Sequence, residues 1–326
     1  MGFEIRLFEA FDYEAVAELV KFVYPELQMT PEDWRNEDKT FEGNHFIRRR
    51  YVAINSSTGK FIGFGVISHT TLSFHPQKFR MQILVHPNFR RQGVGSTLYE
   101  KLMADLKDLN PISVHSNVRE EQKGAIAFLH KRGFKEVQRY WELWLDLNEV
   151  DLTKFSAILE EVRRQGVTIV TLSEEWQSNR NCLRKLYELQ RAIGEENPVF
   201  SHFASATFEE FVKWMERTTL LPDAFFIAKK GDKYIGISNL ALMRMGEPNR
   251  LYQEQTGVLA KYRRRKIATA LKIATIEYAQ ENGFRYIVTH NTSESKNMLA
   301  LNEKLGFKRR FGIVRMERSF ENSISG

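Results

Sequence analysis

"NFRRQGVGSTL" (residues 88–98) and "KYRRRKIATAL" (residues 261–271) decide how this chain folds. Each places arginines after an aromatic residue, then a short turn that opens into an apolar-periodic run. A constant shift of 173 residues superposes them, pairing Arg90 with Arg263, Arg91 with Arg264, Val85 with Val258 and Leu98 with Leu271. The same shift pairs Gly63 with Gly236 and Gly133-Phe134 with Gly306-Phe307, so it runs without a gap from "KFIGFG" at Lys60 onward. A gapless series of this length marks an internal duplication.

Working outward, 326 residues suit two domains of about 150 residues each, and 42% hydrophobic with 12% aromatic residues supply a core for both. The expected organisation is an N-terminal domain over 1–147, a helical connector over 148–166 ("NEVDLTKFSAILEEVRRQG") and a C-terminal domain over 167–326. Cys182 is the single cysteine. It excludes an intrachain disulfide and fits a reducing compartment, while no Cys/His cluster has zinc-ligand spacing, so no metal is expected. The start "MGFEIRLFEA" lacks the apolar core of a signal peptide, and no run reaches the roughly 18 apolar residues of a membrane span. The expected location is therefore the cytoplasm, with no membrane partner. The net charge of +7 mixes 48 basic with 41 acidic residues. Such a balance argues against a nucleic-acid partner, and "IRRRY" and "YRRRK" read as short solvated edges.

In the first half, "FEIRLF" reads as a strand and "DYEAVAELVKFVY" as a helix with Asp12 as its N-cap, followed by a second helix from "TPEDW". Three strands follow in "RRYVAIN", "KFIGFGVISHT" and "FRMQILVH". A helix starts near Gly93 with Leu98, Leu102 and Leu106 on one face. Then come a strand in "PISVHSN", a helix in "EQKGAIAFLHKR" ended by Gly133, and one or two strands in "FKEVQRYWELWLDL". The second half repeats this order, with "EEWQSNRNCLRKLYELQRAI" and "TFEEFVKWMERT" as its two early helices and a hairpin around Gly231-Asp232.

A strand that ends in an arginine-rich, glycine-containing turn and then becomes a helix exposes unpaired N–H groups at the positive helix end. Such a turn binds phosphate, and it lacks the terminal lysine–hydroxyl pair of a P-loop. Here the residues reach a family. "LVHPNFRRQGVGSTLYEKL" with "AIAFLHKRGFKEV" resembles the acetyl-CoA-binding signature of the GNAT N-acetyltransferases, an R/Q-x-x-G-x-G/A turn with a later Gly-Phe. "TGVLAKYRRRKIATALK" with "NMLALNEKLGFK" is similar to it again, as in tandem two-domain members of the family.

The resemblance implies an α/β (α+β) fold of two GNAT domains, each a mixed, mostly antiparallel sheet flanked by helices and splayed between its fourth and fifth strands. Acetyl-CoA would lie in the split. N–H groups of Arg91, Gln92, Gly93, Val94, Gly95 and Ser96, beside Arg90, would hold the pyrophosphate in the first domain. Those of Arg264, Arg265, Lys266, Ile267, Ala268 and Thr269, beside Arg263, would do so in the second. Backbone at Leu84 and Val85, and at Gly257 and Val258, would pair with the pantetheine arm and polarise the thioester carbonyl. Asn291 and Asn297 fall where the second domain would touch pantetheine, with helix capping as the competing role. The implied reaction is acetyl transfer to the amine of a small molecule or peptide.

Three departures from the family pattern shape the expectations. The tyrosine that often protonates the departing thiolate is replaced by Leu129 and Asn302; Leu129 cannot move a proton, whereas Asn302 can position a water or hydrogen-bond the sulfur. Lys266 stands where the first turn has Gly93, and either pairs with the phosphates or blocks them. Glu254 has Met81 as its counterpart, so an acid stands on that strand in the second copy alone. Strand alternation puts Tyr252, Glu254 and Thr256 on one face, which makes Glu254 a candidate general base, against the plain reading of a solvated edge residue. Glu195-Glu196-Asn197, between the two early helices, is either an attractor for a cationic amine or a polar loop. His86, His115 and His290 read as structural or cofactor-adjacent residues instead of metal ligands, and Cys182 as core packing. Two function classes remain, an N-acetyltransferase with its C-terminal domain catalytic or a non-catalytic acyl-CoA-binding protein with degenerate sites, with a weaker third, an RNA- or ribosome-directed enzyme using the basic runs, which requires salt-sensitive RNA binding.

Overall fold

The computed structural model describes residues 2–25, 27, 29–39, 41, 46–70, 74–196, 204–217, 219–243 and 249–320. They form two compact units. The first holds the chain up to Tyr140 together with Phe311 onward, and the second holds the described residues from Trp141 to Arg310. The expected boundaries at 147 and 167 therefore shift. Trp141–Leu147 belongs with the second unit, the connector helix does too, and the chain's last strand belongs with the first. The sequence shift shows which segments are alike; it carries no information on which strand edge each one pairs with.

The first unit runs β1 (Phe3–Leu7), α1 (Tyr13–Val23), α2 (Pro31–Lys39), β2 (Arg48–Asn55), β3 (Phe61–Ser68), β4 (Lys78–Val85), α3 (Val94–Lys107), β5 (Ser113–Arg119) and α4 (Lys123–His130). A long strand, β6 (Lys135–Asp146), then leads into the second unit. That unit continues with α5 (Ser156–Arg164), β7 (Thr168–Thr171), α6 (Leu172–Ser178), α7 (Cys182–Glu196), α8 (Phe208–Met215), β8 (Leu220–Lys230), β9 (Lys233–Leu242), β10 (Arg250–Val258), α9 (Ile267–Glu281), β11 (Tyr286–Thr292) and α10 (Lys296–Lys304). The chain returns through β12 (Lys308–Ser319), whose Ile313–Ser319 pairs antiparallel with β5.

Each unit thus has an antiparallel meander interrupted by one parallel pair. β4 pairs with β5 only from Lys78 to Arg80, against Ser113 to His115, and the two strands then part. β10 pairs with β11 only from Arg250 to Tyr252, against Tyr286 to Val288, and parts at the same place in the repeat. Beyond the parting, Met81–Val85 and Gln253–Val258 have one unpaired edge, which is where a sheet can receive an extended ligand.

The helices explain why the meander stays this way up. Leu102 and Leu106 of α3 lie fully buried with Phe79 and Met81, and Leu98, also fully buried, closes over Gly63 and Gly65 of β3 on the same face, each worth about 1.5–3 kcal/mol. On the other face Val16 and Val20 of α1 pack with Phe64 and Leu84.

Two local expectations change. Asp12 does not cap α1; its carboxylate takes two hydrogen bonds from Arg6 at 2.7 Å and one from the Glu9 N–H at 2.8 Å. The first early helix of the second half is two helices, because Asn179 turns extended and its side chain accepts the Asn181 N–H at 3.0 Å, an alternative to helical bonding.

Candidate functional site

The two arginine turns have one backbone. In the first, Arg91 has φ 63° and Gly93 φ 90° before α3 begins at Val94; in the second, Arg264 has φ 63° and Lys266 φ 61° before α9 begins at Ile267. Left-handed φ costs a non-glycine residue roughly 1–2 kcal/mol, so Lys266 is held there by its surroundings. The leading arginine is a strut in both copies. Arg90 Nε donates to Val85 O at 3.1 Å, and Arg263 Nε to Val258 O at 2.9 Å, tying the turn to the strand that parts.

Around the turns the copies diverge. In the first unit the turn opens on a cavity of about 830 Å³ lined by Tyr24, Val85, Arg91, Gly93, Ser96 and Phe128, with Lys131 and Arg132 at its wall. Arg132 donates to Ser96 Oγ at 2.8 Å and lies 3.6 Å over the Phe128 ring. Helix-start N–H groups in a cavity lined by five basic residues, Arg90, Arg91, Lys123, Lys131 and Arg132, fit a diphosphate, and the parted edge of Ile83–Val85 that also lines the cavity fits an extended arm.

In the second unit carboxylates come to the turn instead. Glu196, the last residue of α7, accepts the Ala260 N–H at 2.9 Å and pairs with Arg263 at 2.7 Å. Lys266 turns away to Glu161 of α5, Nζ to Oε2 2.7 Å, and Arg265 O accepts from Gln165 at 3.3 Å. The backbone cradle is kept, and Glu196 brings a negative charge to its rim.

Polar chemistry collects where β10 and β11 part. A bulge between Gln253 and Gln255 breaks the strand's alternation at Glu254. Gln253 turns beneath the sheet to Lys272 and Thr275 of α9, at 3.3 and 3.1 Å, while Thr256 sits 2.9 Å from Ser238 on that same side. Glu254 faces the other way. It accepts from Asn239 at 2.6 Å and from Arg217, whose guanidinium lies 3.7 Å over the Trp214 ring. The expected common face of Tyr252, Glu254 and Thr256 thus loses Thr256.

At the parting itself His290 of β11 joins two neighbours. Its Nδ1 lies 3.2 Å from Tyr252 Oη, and its Nε2 lies 3.2 Å from Glu142 of β6. The carboxylate can only accept, so Nε2 carries the proton and Tyr252 donates its O–H to Nδ1. Burial first, then the charges of Glu254 and Glu142, push the Tyr252 phenol up to about 12, so it stands as a neutral donor. Beside this chain, Asn302 is buried and donates to Asn291 at 2.7 Å. By strand register the first unit has Arg80 where the second has Tyr252, and the bulged Glu254 has no counterpart; Asn117, Arg315 and Leu129 stand at the positions of His290, Glu142 and Asn302.

Two arginine turns, each beside a pair of parting strands, have a counterpart in known proteins. The acetyltransferase (GNAT) family profile matches residues 13–134 and 183–307, once in each half. The chain belongs to the GNAT acetyltransferase family. No curated protein matches it. Among solved structures it is similar to a GCN5-related N-acetyltransferase from Sphaerobacter thermophilus, at TM-score 0.71 and 18% identity over 97% of this chain and 95% of that one. A tandem GNAT protein from the clavulanic acid biosynthesis pathway gives 0.71 and 19% over 98% of both chains. At these identities the likeness speaks for the fold: this is a tandem GNAT protein.

Of the residues expected at the sites of this GNAT protein, Arg90, Arg91, Gly93, Gly95 and Ser96 line one cavity with Leu84 and Val85. Arg263–Thr269 repeat the turn with its rim engaged. Val94 and Ile267 are buried in the cores beneath. Gly257 packs so closely under α7 that a Cβ there would lie 2.8 Å from Ile193. Asn291 and Asn302 meet, while Asn297 is exposed on α10. Glu195 pairs with Arg191 along α7 at 3.2 Å, so it and Glu196 end a helix instead of forming a loop; Asn197 lies outside the described residues. Sequence reasoning missed Glu142, Arg217 and Asn239, and passed over His290 and Tyr252 as partners. Among the described residues no three His, Cys, Asp or Glu side chains converge as a metal would need, and no helix is long and apolar enough to cross a membrane.

Proposed function

We propose that the protein transfers an acetyl group from acetyl-CoA to the amine of a small molecule or peptide, with the second unit as the catalytic centre and the first as a cofactor-binding unit. The observation that carries this is the chain Tyr252–His290–Glu142 beside Glu254, all placed where β10 and β11 part, with no counterpart of that chemistry at the same place in the first unit. When bound, acetyl-CoA supplies an activated thioester carbonyl.

The chain's own groups account for the rest. Glu254, whose Oε2 is held by Asn239 and Arg217, keeps Oε1 to accept a hydrogen bond from the amine group. The Tyr252 oxygen accepts the amine proton as its own O–H proton passes to His290 Nδ1, and Glu142 steadies the imidazolium that results. Asn291 fixes Asn302 with one amide N–H, leaving Asn302 able to hydrogen-bond a leaving sulfur. The buried, free thiol of Cys182 fits a cytoplasmic setting.

The test is CoA release with an amine panel. Glu142→Gln and Tyr252→Phe should each lower kcat by roughly 10²–10⁴, the usual reach of a lost acid–base group, with the fold intact by circular dichroism. Turnover unchanged in both variants would remove the chain from the mechanism. The second reading, a non-catalytic acyl-CoA-binding protein, draws support from the hold of Glu196 on the second turn. It predicts cofactor binding with no CoA release from any amine.

A further inference from the structure

One row of side chains crosses the first unit's sheet at a common register. Arg48 of β2 stands opposite Ser68 of β3, Ser68 opposite Arg80 of β4, Arg80 opposite His115 of β5, and His115 opposite Glu317 of β12. Directly opposite residues share a face, and this one lies across the sheet from Phe79, Met81, Val114 and Val118, which form the core under α3. One step along, Arg315 stands opposite Asn117.

The charges in this row are unequally met. Arg48 is neutralised by Glu37 at 3.2 Å and Asp38 at 2.7 Å. Among the described residues Arg315 has only Glu317, with Nε 3.9 Å from its carboxylate. Arg80 is exposed and makes no hydrogen bond or ion pair with any described residue; Glu37 is the carboxylate that faces it and is already held by Arg48. His115 adds no charge, because burial and the neighbouring Arg315 and Arg80 push its imidazole down to about 3. The same Tyr24 that lines the cofactor cavity faces Arg80, and Arg119 sits 4.8 Å over its ring and 4.1 Å over that of Phe311. The second unit replaces this chemistry: by strand register Arg80, His115 and Arg315 become Tyr252, Val288 and Glu142, so a carboxylate stands where the first unit has Arg315.

We propose that Arg80 and Arg315, which flank His115 on one face of the first unit's sheet, form a binding site for a small molecule bearing a carboxylate or phosphate, beside Tyr24. A planar guanidinium offers paired N–H donors that match either anion. The two halves of the duplication therefore differ in what they select: the first an anion, the second an amine. The proposal rests on the acetyl-CoA reading only for what the ligand would meet beyond Tyr24, and it is measured without cofactor.

Full-length protein at low salt would be titrated with succinate and, separately, with inorganic phosphate, followed by ligand-observed NMR. Saturable binding of one probe is expected, with succinate or phosphate preference assigning the anion. Arg80→Gln and Arg315→Gln should each weaken it roughly tenfold, the effect of losing a hydrogen bond to a charged group. Arg80→Lys should fall between, and thermal unfolding should confirm folding of every variant. Binding that Arg80→Gln leaves unchanged, or no saturable binding of either probe, overturns the proposal. Acetyl-CoA affinity measured on the same samples separates the two readings: succinate binding without acetyl-CoA binding leaves this site standing and sinks the cofactor assignment.

Discussion

Lys266 gives the sharpest quantitative test, because the structure separates the two energies that act on it. Its φ of 61° carries a left-handed cost of roughly 1–2 kcal/mol for any residue with a Cβ. Its Nζ pairs with Glu161 at 2.7 Å, with both side chains nearly half exposed, and a pair of that kind returns about 0.2–1 kcal/mol. Lys266→Ala keeps the backbone cost and loses the pair, so it should destabilise the second unit by about 0.2–1 kcal/mol. Lys266→Gly loses the same pair but relieves the backbone. Glycine's extra freedom when unfolded takes back about 0.4–1 kcal/mol of that relief. The glycine variant should therefore exceed the alanine variant by roughly 0.5–1 kcal/mol, or about 1–4 °C in Tm for a unit of this size. Urea denaturation at low and high salt reads both terms, since screening removes the ion pair and leaves the backbone term. An alanine variant as stable as the glycine variant would refute the account of the turn as a glycine-type backbone held by its neighbours.

Three further outcomes follow from the same geometry. Calorimetric titration with acetyl-CoA should show two sites per chain, the weaker at the second turn, and Glu196→Gln, which frees Arg263 and the Ala260 N–H, should tighten that weaker site; an unchanged second affinity in the variant would mean that Glu196 does not guard the second turn. Lys272 is buried beneath β10 with Gln253 and the Phe307 ring as company, and burial pushes its ammonium down to about 7 from 10.5. Between those values the unfolded chain binds the extra proton, so stability should rise as pH climbs from about 7 to 10.5; Lys272→Met should stabilise the protein at pH 7 and flatten that rise, and an unaltered pH profile would contradict it. His115, depressed to about 3 from 6.5, predicts a second rise between pH 3 and 6.5 that His115→Gln should weaken, checked by acid titration of the unfolding midpoint.

The arginine turns and the succession of strands and helices in each half were legible because their signals are local: periodicity, a glycine or its substitute at one position, and a shift that repeats them; the parting beside each turn was expected only through the family resemblance. Glu254 was legible as an acid on the right strand, but its direction was not. The alternation rule assumes an uninterrupted strand, and one extra residue at Gln253–Gln255 moved Thr256 to the opposite face.

What the sequence alone determined is the architecture, two GNAT units with two phosphate-type turns, since short-range backbone preferences and apolar spacing are written in neighbouring letters. What tertiary structure decided is the company each charge keeps. Glu142 meets His290 from 148 residues away, Glu196 reaches Arg263 across 67, and the last strand completes the first unit's sheet. Those pairings depend on which edges and faces come together when the cores close. No spacing along the chain encodes them, because hydrogen bonds and ion pairs act over a few ångströms of space, whatever the separation in sequence.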